Sequence, residues 1–562
     1  MSAIALTTGA QLDVLCGALA HRGEHIAEVK ERGWCAAVLG RKSEAQTLES
    51  EEATLLTCGP VCLPNGVLRQ LKEDLHAGLN RISGSGITVF ASGERMVIAR
   101  DGAGGRSLYY SFADGVFSCA SETKAFLGID GFSTELRPGA LAQFLAYSFI
   151  PGPETMLRGV FSLPAGCYLE IDLQHPRPVS AQRWFFPEHG EGTIADADSV
   201  EAFQACFRRS VDRLIPKAGA SPALFLSGGL DSSCVAAELA LDHRETLHTY
   251  ALHFGDRYAH ELDFARQVAK FCGLKNHHEV LIRPKDFIHR LEAMVEALDE
   301  PIGDPVALPN FELAASVAQH HTAVFNGEGG DPLFGGPKNF HLLLHHWYGL
   351  PQHQLDPRHR EKQYLASYRR AYEEISRLLT PEFRETFDEE SELESPITPF
   401  LRAGNPDSFL NKLMLINQRL KGAQLIQPKV ERMLAAHGLR PLSPLFDEEM
   451  IRLSLAIPPT TKLSAGQDKI IMKRAFAGRL PDAILHRPKS GMRVPVHFWM
   501  QKEMKGVIQE VLSSSTLKAD GIFNPKRVKQ LMQYQTEEGP GRYGLRLWML
   551  MTFQLWKKRF GV

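Results

Sequence analysis

The chain has 562 residues, more than one hydrophobic core ordinarily organises, so two or more domains are expected. Hydrophobic residues make up 44% and charged residues 23%, and 63 basic side chains stand against 65 acidic ones, a formal net charge of −2. That balance excludes a general nucleic-acid or anionic-membrane surface, and the lack of a long apolar run excludes a membrane span.

The opening MSAIALTTGAQLDVLCGALA has neither a basic n-region nor a small-residue cleavage site, so no signal peptide is expected and the chain reads as cytoplasmic. Residues 1–190 are patterned as strands. GITVFASGERMVIARDG places short apolar runs on either side of Gly-containing turns, as hairpins do, and FIPGPETMLRGVFSLPAGCYLEID continues the habit. After Trp184 the polar FFPEHGEGTIADADSV reads as a linker entering a helix near Val200, and a second unit is expected over 196–562. There EAFQACFRRSVDRLI and ELDFARQVAKFCGL have helical spacing, and the buried-looking runs ALFLS, LHTYALHF and AVFNG lie between helices. Strands alternating with helices predict a parallel, doubly wound sheet. Beyond about Asn339 the pattern is mostly helical. His341 and His345, in a segment that also holds His346, His353 and His359, have i, i+4 spacing but no acidic or cysteine partner at ligand distance; an amphipathic helix accounts for them. The nine cysteines are scattered singly, as reduced thiols would be, and the closest pair, Cys58 and Cys62, has no second pair at zinc-site spacing.

Two stretches carry chemistry. In ALFLSGGLDSSCVAAELA a strand stops at two glycines and a helix starts within the polar cluster Ser227-Gly228-Gly229-Leu230-Asp231-Ser232-Ser233. Glycines admit positive φ and close ligand approach, and the N–H groups opening a helix, together with hydroxyls, make an anion nest. The lysine of a Walker A loop is missing, and the stretch is similar instead to the S-G-G-x-D-S loop of enzymes that split ATP into AMP and pyrophosphate. In AVFNGEGGDPLFGG a second strand ends in glycines around Glu328 and Asp331. Two such ends in one parallel sheet can face a common crevice. Asp231 and Asp331 could then share a Mg²⁺ that bridges phosphates, with Glu328 beside them as an acid, base or substrate contact.

With SGGLDSS, ELDFARQVAKFCGLKNHHEV, DEPIGDPVALPNFELA, NGEGGDPLFGG, LSPLFD and GQDKIIMKRAF in order, followed by LPDAILHRPKSGMRVPVHFW, the chain resembles the asparagine synthetase family. The resemblance implies an N-terminal-nucleophile α/β/β/α sandwich followed by an ATP-pyrophosphatase doubly wound sheet with a helical C-terminal region. It implies ATP and Mg²⁺, adenylation of a carboxylate with release of pyrophosphate, and capture of the acyl group by an amine with release of AMP. Residue by residue, it implies that Ser227, Gly228, Gly229, Asp231, Ser232 and Ser233 hold pyrophosphate and that Asp231 and Asp331 hold the metal. Glu328 matches the catalytic glutamate of G-E-G-x-D, and Lys469 the lysine that faces phosphate or the tetrahedral intermediate. The backbone at Leu224 and Leu226 and the segment 250–254 are expected to line an adenine pocket.

The N-terminal unit, through ARDGAGGRSLYY, SETKAF and IPGPETMLRGVF, resembles the family's glutaminase domain but departs from it where the chemistry sits. That chemistry needs a cysteine at the mature N-terminus; here the chain opens Met1-Ser2-Ala3, the glutamine-holding N-G-E-x-Y-N is reduced to CLPNGVLRQL, and H-R-G-P-D to HRGEH. The expected function is therefore an AMP-forming amide ligase without glutaminase activity. Its substrates would be a small-molecule or peptide carboxylate and an amine, in natural-product assembly. The alternatives are an ammonia-dependent asparagine synthetase or a ring-closing relative of the β-lactam synthetase or lasso-peptide cyclase type; β-lactam synthetases carry tyrosine at the position of Glu328. Pro332 replaces the second acid of the family motif and removes a backbone N–H there. Neither nucleic acid nor membrane is expected as a partner, while a homodimer and a carrier or pathway protein are left open.

Overall fold

A computed structural model of the chain describes residues 1–176, 181–258, 260–348, 356–368, 371–488, 491–537 and 543–562. His353 of the histidine-rich segment, and Lys489 and Ser490 of the last motif, lie outside the described residues.

The N-terminal third is two antiparallel six-stranded sheets stacked face to face. The expected hairpin is present, with Ile87–Ser92 and Arg95–Arg100 paired in continuous register from Ile87 opposite Arg100 to Ser92 opposite Arg95. Successive strand residues point to opposite faces, and here both faces are apolar because both are covered. Ile4, Leu6, Val38, Leu56, Val89, Ile98 and Leu169 meet between the sheets. On the outer side of one sheet, Ala3, Ala5 and Ala37 pack against the helices Leu12–Leu19 and Pro138–Tyr147. On the outer side of the other, Leu55, Phe90 and Val97 pack against Val67–Glu73 and Leu75–Arg81. The result is the expected α/β/β/α sandwich.

The second unit is built on a five-stranded parallel sheet. Its spatial order is Asn276–Leu281, His248–His253, Ala223–Phe225, Ala323–Phe325 and Arg440–Leu442. The first strand in the chain, Ala223–Phe225, thus lies at the centre, and the winding reverses between it and Ala323–Phe325. In such sheets the crevice opens beyond the carboxyl ends of those two strands. They are the strands that run into the two glycine-rich loops. The fifth strand was hidden in a region whose pattern reads as helical. Helices otherwise dominate the rest of the unit, ending in Tyr543–Phe560, whose Trp548 and Trp556 are fully buried. No helix among the described residues is long and apolar enough to cross a membrane.

The two units share apolar cores, and a buried charge network ties them together. Glu44 accepts from the Ser2 backbone N–H (2.6 Å) and from Arg440 Nε (2.5 Å), and Arg106 lies 3.5 Å away. Glu431 takes Arg22 at 2.5 Å and Arg106 at 3.5 Å. Burial alone would raise the Glu44 carboxyl, but Arg106 and Arg440 outweigh it and hold it at about 2. A π-helical stretch, Asn417–Ile426, continues the contact: Arg100 Nη2 donates to the Ala423 carbonyl at 3.0 Å, and Gln424 Nε2 to Ser162 Oγ at 3.2 Å.

A buried ion network is unforgiving of losing one member, because the remaining charges stay desolvated. Glu431→Ala is expected to cost about 3–5 kcal/mol, and Glu170→Ala, which breaks the exposed Arg95–Glu170 pair, at most about 1 kcal/mol. Denaturant midpoints of the two variants check this.

Candidate functional site

The first loop is braced from within. Ser232 Oγ accepts from the Ser227 N–H (3.2 Å) and lies 3.1 Å from Ser227 Oγ, which in turn accepts from the Gly229 N–H at 3.2 Å. Gly229 precedes the helix Leu230–His243, so the positive end of that helix dipole points from the loop into the crevice. Gly228 sits at φ +74, and a Cβ there would meet the Ala265 backbone nitrogen at 2.5 Å; only glycine fits.

The second loop packs directly on the first. A Cβ on Gly330 would lie 2.0 Å from Asp231 Oδ1, so the missing side chain is what lets the two acidic loops touch. Asp331 follows at once, in the short helix Gly330–Phe334.

Between the two aspartates stands Lys469. Its Nζ donates to Asp231 Oδ1 and Oδ2 at 2.7 and 2.6 Å, and lies 2.5 Å from Asp331 Oδ1. The lysine side chain is only 2% exposed. Burial alone would lower its pKa, but the Asp231 and Asp331 carboxylates outweigh that and hold it above the ordinary lysine range. Both aspartates therefore reach a single cation. Lys469 has φ +49, in the left-handed region, immediately before the helix Ile470–Ala475. A non-glycine residue held there costs on the order of 1–3 kcal/mol, so the ion bridge keeps a strained backbone in place.

Around this cluster opens a cavity of about 370 Å³, within the range of ligand pockets. Ser227, Gly229, Asp231, Ser232, Glu328 and Asp331 line it, as do all five residues 250–254. Four expected residues stand off the wall, among them Lys469, which is buried between the two aspartates. Leu224 does not line the cavity: its backbone is in register with Thr249 and Phe325, and Phe225 and Leu226 form the wall instead. Ser233 is fully buried and turns its hydroxyl back to the Gly229 carbonyl (2.8 Å), bracing the helix start. Gly228 lies behind the loop against Phe264 and Ala265. The Glu328 N–H donates to Asn326 Oδ1 at 3.0 Å, which orients the second loop.

The sequence reading missed Lys421, Lys429 and Asp304 on the wall. Lys429 Nζ pairs with Asp304 Oδ2 at 2.8 Å, and Lys421 is carried by the π-helical stretch. Asp304 stood inside a quoted motif, but no local pattern ties it to Lys429, which is 125 residues away.

The "Asparagine synthase" family model matches residues 202–558, and the "Glutamine amidotransferase domain" model matches residues 67–184. A putative glutamine-hydrolyzing asparagine synthetase of Mycobacterium tuberculosis is 27% identical over 493 residues, covering 82% of this chain and 74% of the relative. Glutamine-hydrolyzing asparagine synthetase 1 of Bacillus subtilis is 23% identical over the same shares. A carboxyethyl-arginine beta-lactam-synthase of Streptomyces clavuligerus is 26% identical, over 79% of this chain and 71% of the relative.

The contact between the loops makes Gly330 a sensitive position. Gly330→Ala must push Asp231 aside, and is expected to weaken MgATP binding at least about tenfold, or 1.4 kcal/mol, with the far-UV circular dichroism unchanged. Titration calorimetry measures it.

Proposed function

We propose, because the chain belongs to the asparagine synthase family of ATP-dependent ligases, that it adenylates a specialised carboxylate and lets an amine capture the acyl-adenylate, without hydrolysing glutamine. The observation that carries this reading is the convergence of Asp231 and Asp331 on one buried cation where the sheet's winding reverses.

The roles follow from charge and position. The N–H groups at the start of Leu230–His243, with the Ser227 and Ser232 hydroxyls, receive the terminal phosphates of ATP. Lys469 lies against the same aspartates and offsets negative charge that builds on the departing pyrophosphate. Asp231 and Asp331 fit Mg²⁺, a hard ion that takes one or two protein carboxylates and completes its shell with phosphate oxygens and water. When bound, the ion would neutralise phosphate charge. The substrate carboxylate oxygen attacks the α-phosphorus as the bond to the β-phosphate oxygen breaks. The amine nitrogen then bonds to the acyl carbon, AMP leaves, and Glu328, on the cavity wall, is the group we assign to take the amine proton.

The reading divides the chain into a degenerate amidotransferase unit, 1–190, and a ligase unit, 196–562. Loss of glutaminase activity rests on the missing motif residues and on the thiols. Burial pushes Cys16 and Cys58 up to about 11 and also raises Cys35, the opposite of what a cysteine nucleophile needs. A specialised substrate is favoured by Pro332, which lines the cavity where the family motif carries a second acid. Retention of Glu328 favours the second reading, an ammonia-dependent asparagine synthetase.

Incubation with MgATP, ammonium or other amines, and a panel of acids including aspartate is expected to release AMP and pyrophosphate only with the matching acid. Asp231→Ala should lower that rate about 100-fold or more, about 2.7 kcal/mol in the barrier. Pyrophosphate release at an unchanged rate in this variant sinks the assignment, and asparagine as product selects the second reading. Glutamate formed from glutamine alone would contradict the loss of glutaminase activity.

A further inference from the structure

A second cavity, of about 190 Å³, lies between the sandwich and the parallel-sheet unit. A single water needs roughly 10–15 Å³ by the same measure, so this space admits a small molecule. Its wall is charged, and the charges do not cancel. Arg213 is matched by Glu449 at 2.7 Å and by Asp447, and Arg440 by Glu44 at 2.5 Å. Lys217 and Arg452 remain. Lys217 Nζ donates to the Pro60 carbonyl at 3.2 Å, and Arg452 Nη2 to Asn80 Oδ1 at 2.9 Å with its guanidinium over the Phe185 ring. Neither has a carboxylate within 4.0 Å among the described residues. Glu448, the remaining acid, accepts from the Gly102 N–H at 2.6 Å; burial, and the neighbouring Asp101, push its carboxyl up to about 8, which favours its neutral form and weakens its compensation of Arg452. Arg106, 4% exposed, also lines the cavity, and its Nε–H is buried without a hydrogen-bond partner.

We propose that this cavity binds a small oxyanion, a carboxylate or phosphate group, held by Lys217, Arg452 and the orphaned Arg106 Nε–H. Two half-buried cations and a buried, unsatisfied donor on one wall are costly while nothing faces them, and an anion offsets all three. Burial, the largest influence on both, lowers the pKa of Lys217 and Arg452 against the opposing pull of the more distant Glu44 on the first and Glu448 and Glu449 on the second. The ligand would touch both units. It would also lie close to the nucleotide crevice: Ser443, on this wall, accepts from Asn326 Nδ2 at 2.9 Å, and Asn326 Oδ1 accepts the Glu328 N–H. The site is therefore placed to tune the ligase crevice through two hydrogen bonds. It does not depend on the adenylation reading.

The full chain is titrated calorimetrically with inorganic phosphate in one arm and succinate in the other. Binding with a Kd below about 1 mM is expected in at least one arm, and the arm that responds says which kind of anion is the source. Lys217→Met and Arg452→Gln should each weaken it about tenfold, while Lys217→Arg, which keeps the charge, should preserve it. Ser227→Ala, in the nucleotide crevice, should leave it unchanged. Neither Lys217 nor Arg452 has a carboxylate to strand, so the thermal midpoints of the unliganded variants should stay at or above that of the parent protein. No binding in either arm, equal affinity in Lys217→Met and Arg452→Gln, or loss only in Ser227→Ala overturns the proposal.

Discussion

Lys469 holds two glycine-rich loops, from two different strands, in one charged cluster. Its ammonium is almost wholly buried and is tolerable there only because Asp231 and Asp331 both touch it. The aspartates in turn are brought together only because Gly330 has no side chain to keep Asp231 away. The left-handed backbone at Lys469 is strain accepted in return for that placement. Each part is unfavourable alone. Together they form a preorganised charged cluster facing the open end of a helix dipole.

The sandwich contributes differently. It keeps the complete layered architecture, with apolar residues on both faces of both sheets, yet its Cys16 and Cys58 thiols are buried and their pKa is raised by that burial. Of its charged residues, the buried Arg22, Glu44 and Arg106 join the network through Glu44 and Glu431 that meets the second unit. Such a network is weak evidence for stability, since an apolar replacement of the whole set can be equally stable, but it fixes one mutual placement of the two units. The π-helical stretch then does double duty, with Ala423 and Gln424 against the sandwich and Lys421 and Leu425 on the wall of the larger cavity.

Much of the site was legible in the sequence because it is local. A strand that stops at Gly-Gly with Ser and Asp behind it announces a strand, a tight turn and a helix within a dozen residues, and the structure has each of them. The same logic identified Glu328 and Asp331. It misjudged Leu224 and the Ser233 hydroxyl, because local order cannot say which side of a turn faces the crevice. The Lys429–Asp304 pair and the π-helical stretch had no local signature at all, the first being a long-range contact and the second a change in hydrogen-bond spacing that packing imposes.

By itself, then, the sequence determined the two classes of fold, the order of the units and most of the loop residues that line the crevice, because periodicity, turn chemistry and short motifs act over a few residues. Only the tertiary structure decided that Asp231, Asp331 and Lys469 share one point, and that Lys217 and Arg452 face a common interdomain space with no carboxylate within 4.0 Å among the described residues. Those are distances between residues tens to hundreds of positions apart, and they are set by the order in which strands lie in a sheet and by where a side chain is missing.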